Sequence, residues 1–395
     1  MPAPTETSNF EPRANTPEED PIRVALVHDW LTGFRGGERV LEVLCELFPE
    51  APLYTLVYVK NSTVPVIENR EIHTSFIQRL PMAKKKYRHY LPLFPLASET
   101  LHVKGYDLIV STSSAVAKSV HTYGALHWCY THTPMRYVWD RFDDYFGPEI
   151  VGALPSKYFF RPIAAALRSY DRQTSSRVDH YVANSTFVAD RIRRFYGREA
   201  EVICPPVDTR FSKVVRKPED FYLFFSALVP YKRADQAILA CQKMKKKLVV
   251  LGHGPELAKL QKLADPNYIQ FIMHPTDEMV ADHLARAKAL LFPTIEDFGI
   301  VPVEALSAGL PVIGLHQGGL LDSQTEKTCL FYQNQTVEDL MAAIHEFELK
   351  GVDFFKPEDL RTQAGKFSRP IFRQKVSLSI HRLLAQKLDQ TKLEE

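Results

Sequence analysis

RVALVHDWLTGFRGGERVLEVLCELF, residues 23–48, decides the fold. Its opening RVALVHDW is an apolar run that reads as a strand, and GGERVLEVLCELF, after a Gly pair, carries helical spacing. Working outward, DLIVSTS (107–113) followed by SAVAKSV repeats the theme. HWCYTH (127–132) and HYVANS (180–185) are further short runs ending in polar residues, and the second leads into the helical TFVADRIRRFYG. Strands alternating with helices predict a parallel sheet covered on both faces.

VICPPVDTRF (202–211) predicts extended chain, because its prolines lack an N–H and hold the residues before them out of the α region. The interdomain linker is therefore expected at 204–216. A second alternation follows, with FYLFFSAL, KKLVVLG, YIQFIM, ALLFPT and LPVIGL as five strand candidates. The fold class read from this pattern is α/β: two Rossmann-like, doubly wound domains at 21–203 and 217–368. A helix at 369–395 is placed to return to the first domain, and residues 1–20 read as a disordered tail. In open parallel sheets, ligands sit where loops leave the carboxyl ends of strands, so polar residues just after strands are the informative ones.

Composition narrows the function. A chain of 395 residues is long for one core. Its 49 Lys and Arg against 47 Asp and Glu make no global field that would draw it to nucleic acid, so no nucleic-acid partner is expected. The five cysteines are odd in number and widely spread, with no CxxC or Cys/His spacing, and predict neither disulfides nor a metal site. Residues 1–20 lack the apolar core of a secretory signal, and no stretch reaches the roughly 20 apolar residues of a membrane span. A cytoplasmic chain, soluble or lying on the inner face of the membrane, is the expectation.

The strongest motif is EDFGIVPVEALSAGLPVIG, residues 296–314, between two strand candidates. Glu296 and Glu304 are separated by seven residues. A helix starting near 299–302 would present unpaired N–H groups to an anion. Here the sequence resembles the retaining glycosyltransferases of family 4, closest to the branch acting in bacterial polysaccharide assembly. That resemblance implies the GT-B fold of two facing domains. It also places Glu296 by the donor sugar, Glu304 on the ribose hydroxyls, and the backbone of Asp297, Phe298, Gly299, Ile300 and Val301 against sugar and diphosphate. Two carboxylate oxygens can accept both ribose hydroxyl hydrogens, which suits Glu304 to its task.

SALVPYKRADQAI (226–238) follows a strand and opens a helix. The resemblance assigns Ser226 and Lys232 to the donor. Ala227 stands where many members carry an Arg, so the adjacent Arg233 is the candidate second cation. Departure of a nucleoside diphosphate leaves charge on the β-phosphate. With no Asp-x-Asp signature, the chain's own cations and helix amino termini are expected to meet that charge without a metal or other cofactor.

HDWLTGFRGGERV (28–40) satisfies neither the P-loop nor the dinucleotide fingerprint. A Gly pair alone is as well explained by a tight turn; the resemblance turns Gly36 and Gly37 toward donor phosphates and, more weakly, Gly252 of GHGPE toward the nucleotide. HQGGLLD (316–322), a turn-rich loop after a strand, has the Gly pair that members use around the nucleotide. In CYTHTPMRYVWD (129–140), His132 ends a strand. Family members place a His there beside the reacting sugar. Arg136, Tyr137, Trp139 and Asp140 read as lining the acceptor side, because aromatic and charged side chains suit sugar rings and phosphates. Finally, AKKKYRHYLPLFPL (83–96) sets Lys84, Lys85, Lys86 and Arg88 beside apolar residues, a pattern shared by a solvated loop over the core and by an anionic membrane surface.

The function implied is metal-independent, retaining hexosyl transfer from a nucleoside diphosphate sugar, GDP-mannose favoured and UDP-hexose open, to a glycan or polyprenyl-linked oligosaccharide. His132, Glu296 and Lys232 are the expected catalytic residues. A nucleotide-sugar epimerase or hydrolase of the same fold, and an inactive sugar-nucleotide binder, are the alternatives.

Overall fold

The computed structural model describes residues 22–394, with side chains through residue 389, so the tail read at 1–20 lies outside the described residues. Two parallel sheets organise the chain. The first contains β1 (Val24–His28), β2 (Leu53–Thr55), β3 (Ile72–Thr74), β4 (Leu108–Ser113), β5 (Leu126–Thr131), β6 (His180–Ala183) and β7 (Ala200–Val202) in the order β3-β2-β1-β4-β5-β6-β7. The second contains β8 (Tyr222–Phe225), β9 (Leu248–Leu251), β10 (Ile269–Ile272), β11 (Leu290–Phe292), β12 (Val312–Leu315) and β13 (Cys329–Tyr332) in the order β10-β9-β8-β11-β12-β13. Every strand pairing is parallel.

Both orders reverse direction once, between β1 and β4 and between β8 and β11. At such a switch point the loops leaving adjacent strands part to opposite faces and open a crevice. The loops after β1, β8 and β11 leave strands at these points, and with the loop after β5 they carry the motif residues. Central strands are buried on both faces, as in Val24–His28 and Leu248–Leu251, which explains their unbroken apolar runs.

Six helices position the site: α1 (Gly36–Leu47), α2 (Arg161–Gln173), α3 (Thr186–Tyr196), α4 (Ala234–Lys243), α5 (Ile300–Ser307) and α6 (Arg369–Glu394). The α1 start is closed by Glu38, whose carboxylate accepts from the Arg35 amide at 2.9 Å. Ser185 caps α3 by accepting from the Val188 amide at 3.1 Å, and Gly197, at φ 68°, ends it.

Helix α6 crosses back to the first domain. Phe372, Val376, Ile380 and Leu383 share one core with Leu26, Leu41 and Trp128. Arg369 reaches Glu42 and Glu46 of α1 at 2.7 Å each, and the Trp128 indole donates to Ser379 at 2.9 Å. Strands β2, β3, β7 and β13 were absent from the sequence reading. Each has three or four residues and lies at or next to a sheet edge, too short for periodicity to register.

Candidate active site

In the second domain the sugar-nucleotide motifs converge. The chain leaves β8 at half-buried Ser226, turns through Pro230–Lys232, and Thr294 from the loop after β11 donates to the Tyr231 carbonyl at 3.0 Å. That tie brings Lys232 and Glu296 together, and their side chains form an ion pair. The loops behind them approach closely enough to require glycine. A Cβ at Gly252 would lie 1.9 Å from the Ser226 carbonyl oxygen, and one at Gly319 would lie 2.2 Å from that of Asp297. Gly252 thus sets the backbone that carries Ser226, while Gly319 donates its amide to the Glu296 carbonyl at 2.9 Å.

Gly299, at φ 88°, turns the chain into α5, a conformation that a side chain would strain. Ile300 and Val301 are half-buried in its first turn, whereas the Phe298 side chain packs into the core against Phe367. Glu304 is buried farther along α5, with Arg210 at 3.9 Å. Desolvation pushes its carboxyl up to about 7, against the pull of Arg210 and Arg39. Arg39 on α1 in turn lies 3.6 Å from Asp208, so Glu304 sits where the interdomain connection and α1 meet α5.

From the first domain, half-buried His132 follows β5, with its Nε2 buried and without a partner. The ring lies over the α1 start: a Cβ at Gly37 would be 3.5 Å from Nε2, and one at Gly36 would be 2.8 Å from Ile300 Cδ1. Burial, reinforced by neighbouring His28, lowers the His132 pKa to about 4. The imidazole is therefore neutral near pH 7, with Nε2 available to a ligand group.

Five residues expected at the donor or the acceptor are engaged within the protein. Arg233 adopts φ 55° and directs its guanidinium to Asp235 at 3.0 Å, so it does not stand beside Lys232 at Glu296. Arg136 and Asp140, expected at the acceptor, are held in an interdomain clamp, and Asp140 also lines the cavity beside it. Asp297 accepts from Arg136 at 2.6 Å and from Arg191 at 2.7 Å, while the other arm of Arg191 reaches Asp140 at 2.6 Å. Tyr137 turns inward, its hydroxyl buried and unpartnered beside the first-domain core. Trp139 stacks on Phe195 and donates to Asp171 at 2.7 Å. Asp171 is fully buried and paired with Lys118 at 3.0 Å, which anchors Trp139.

The sequence reading also passed over Arg191, Arg210 and Asp29. Asp29, at the end of β1, accepts from the amides of Ser114, Ala115, Val116 and Ala117 at 2.5–2.9 Å, joining both sides of the first switch point. A polar residue directly after a strand was its available signal. Arg191 had none, since TFVADRIRRFY reads as a helix with a solvated basic face. Beside the clamp, a cavity of about 590 Å³ opens between the domains, lined by Asp140, Arg141, Phe187, Ile295, His316 and Gly318 among others.

Comparison with known proteins bears on the family and the fold. Residues 34–211 match the model for Glycosyltransferase Family 4, and residues 208–368 that for Glycosyl transferases group 1. A GDP-mannose-dependent alpha-(1-6)-phosphatidylinositol monomannoside mannosyltransferase of Mycobacterium tuberculosis is 33% identical over 140 residues, 31% of this chain and 36% of that protein. A D-inositol 3-phosphate glycosyltransferase of Streptomyces bingchenggensis is 30% identical over 193 residues, 40% of this chain and 42% of that protein. The chain thus spans between a third and a half of the length of these curated relatives. Among solved structures, Anabaena HepE in complex with UDP superposes with a TM-score of 0.66 at 14% identity, over 91% of this chain and 100% of that one. Sucrose-phosphate synthase from Thermosynechococcus elongatus gives 0.67 at 15% identity, over 92% and 100%. These likenesses establish a GT-B fold.

Proposed function

The chain belongs to the glycosyltransferases of family 4 and group 1, and from that membership we propose that it transfers a hexose from a nucleoside diphosphate sugar, with retention and without a metal. The observation that carries the reading is Lys232 held against Glu296 at adjoining strand ends, with the unpartnered Nε2 of half-buried His132 presented from the opposite domain. Mannose from GDP-mannose is the favoured donor, supported by the donor named for the mycobacterial relative.

In this reading the diphosphate lies at the start of α5, where Gly36 and Gly37 leave room for backbone approach, and Glu304 takes the ribose hydroxyls. Glu296 and neutral His132 orient the sugar. The incoming hydroxyl approaches from the face that diphosphate leaves, and a departing phosphate oxygen accepts its proton. Lys232 then moves its hydrogen bond from Glu296 to the phosphate as negative charge develops there. A cation about 4 Å away contributes on the order of 4 kcal/mol at an effective dielectric near 20. With Arg233 turned away, Lys232 carries most of that stabilisation. The acceptor, a glycan or polyprenyl-linked oligosaccharide, enters beside the Asp297 clamp, where the interdomain cavity is large enough for sugar rings.

The test incubates the protein with GDP- and UDP-sugars and lipid-linked acceptors, with and without EDTA, and assigns the product anomer by NMR. Lys232→Ala is expected to lower kcat roughly a thousandfold. An inverted anomer, loss of transfer in EDTA, or release of free sugar with no acceptor requirement would each displace this reading.

A further inference from the structure

Residues 145–160 break the usual rule for a surface helix, which turns its polar side outward. The chain runs through Pro148–Val151 and Ala153–Pro155, interrupted by Gly152 at φ 88°, and then through one π-helical turn at Ser156–Phe160 into α2. Its inner side is well packed: Phe146 stacks on Phe160 at 4.9 Å, and Ala164 and Leu167 of α2 enter the core. Its outer side carries Ile150, Leu154, Tyr158 and Phe159, exposed by 58, 70, 66 and 58%. Exposed apolar side chains grouped this closely mark an interaction surface.

The basic segment singled out in the sequence lies against the same core. Tyr87 and Phe94 are buried in the cluster that receives Phe146 and Phe160, and Tyr170 of α2 bonds to Ser98 at 2.7 Å and Glu99 at 2.9 Å. Arg88 lies near enough to Tyr145 to act on its hydroxyl electrostatically. From this segment Met82, Leu93 and Leu96 are exposed, and Lys84, Lys85, Lys86 and Arg88 stand in solvent around them. Lys157 adds a cation from the other side. Asp143 and Asp144 on the rim are paired with Arg161 and Arg141, leaving Glu149 as the acid that opposes this charge.

We infer that these two segments form one docking face for an anionic lipid bilayer, with Ile150, Leu154, Tyr158 and Phe159 entering the interface and the lysines meeting the headgroups. Charge decides the occupant. A second copy packed face to face would set one lysine cluster against another, whereas anionic headgroups complement it. Amphipathic helices with large apolar and basic residues bind in the plane of such an interface. Tyr145 links the face to the cleft, because its hydroxyl feels the charge of Arg88 from the basic segment and of Arg136 from the clamp. An acceptor anchored in the bilayer reaches the cleft without leaving it; this last consequence rests on the transfer reading.

The test is vesicle flotation of the full chain, with no substrate present. The wild type is expected to float with phosphatidylglycerol-rich vesicles, and weakly with phosphatidylcholine alone. Leu154→Glu/Phe159→Glu is expected to reduce binding at least about tenfold, and Lys84→Glu/Lys85→Glu/Lys86→Glu to do so by a similar factor while removing most of the salt dependence. Unchanged melting temperatures show that both variants fold. The inference is overturned if the wild type stays in the soluble fraction, if Leu154→Glu/Phe159→Glu floats like wild type, or if sedimentation shows that this pair splits a dimer. Flotation without sugar transfer would count against the enzyme reading alone, and transfer to a soluble acceptor without flotation against the surface alone.

Discussion

Glu304 shows how one side chain can serve a ligand at the expense of the empty protein. Its carboxyl is buried, with Arg210 at 3.9 Å, and titrates near 7 rather than 4.5. A raised folded pKa gives stability that is complete below the unfolded value and is lost as pH rises through the folded one. Glu304→Gln, which cannot ionise, should therefore match wild type near pH 4 and exceed it above pH 7 by up to about 3 kcal/mol. Thermal melts across pH measure this, and parallel curves would remove the argument. The same variant should bind donor more weakly. At this scale the sequence displayed residue types but not directions. Lys232 and Arg233 are adjacent, yet one meets Glu296 and the other turns to Asp235. The left-handed backbone at Arg233 separates them, and a linear motif does not show it.

At the scale of elements, long buried strands and helices opening after Gly or Ser were legible, because apolar runs and caps are local signals. Short edge strands were not, since three residues such as Ile72–Thr74 carry no period. The 132–140 loop was read as acceptor-lining from its aromatic and charged residues. Its conformation instead follows from partners remote in sequence, Asp171 for Trp139 and Asp297 for Arg136. Helix α6 gives this scale its prediction. Phe372 is fully buried under the first sheet, so Phe372→Ala should cost about 3–5 kcal/mol and bring denaturant-induced unfolding to lower concentration. A loss below about 1 kcal/mol would mean that α6 is only loosely seated.

The whole molecule is held across its cleft by Asp297, which receives Arg136 and Arg191 from the facing domain, and by Asp322, which accepts from Thr186 at 2.5 and 3.0 Å. Arg191 is nearly buried, so removing it leaves Asp297 and Asp140 short of a partner. Arg191→Ala is expected to widen the molecule in small-angle scattering and to lower kcat more than donor affinity, because the halves then close less completely. An unchanged scattering curve with unchanged kcat would show that the clamp does not govern closure. No interdomain pair of this kind was visible in the sequence, where Arg191 and Asp297 lie 106 positions apart.

The return of α6 means that covalent continuity is not the main tie between the halves. Residues 203–221 form one connection, but α6 carries Phe372, Val376 and Ile380 back into the first core. A protease that nicks the chain once near Val214 should yield two fragments that still migrate together on a sizing column and part only in denaturant. Motion between the halves is then confined to flexing about two adjacent straps, and free rotation around a single thread is excluded.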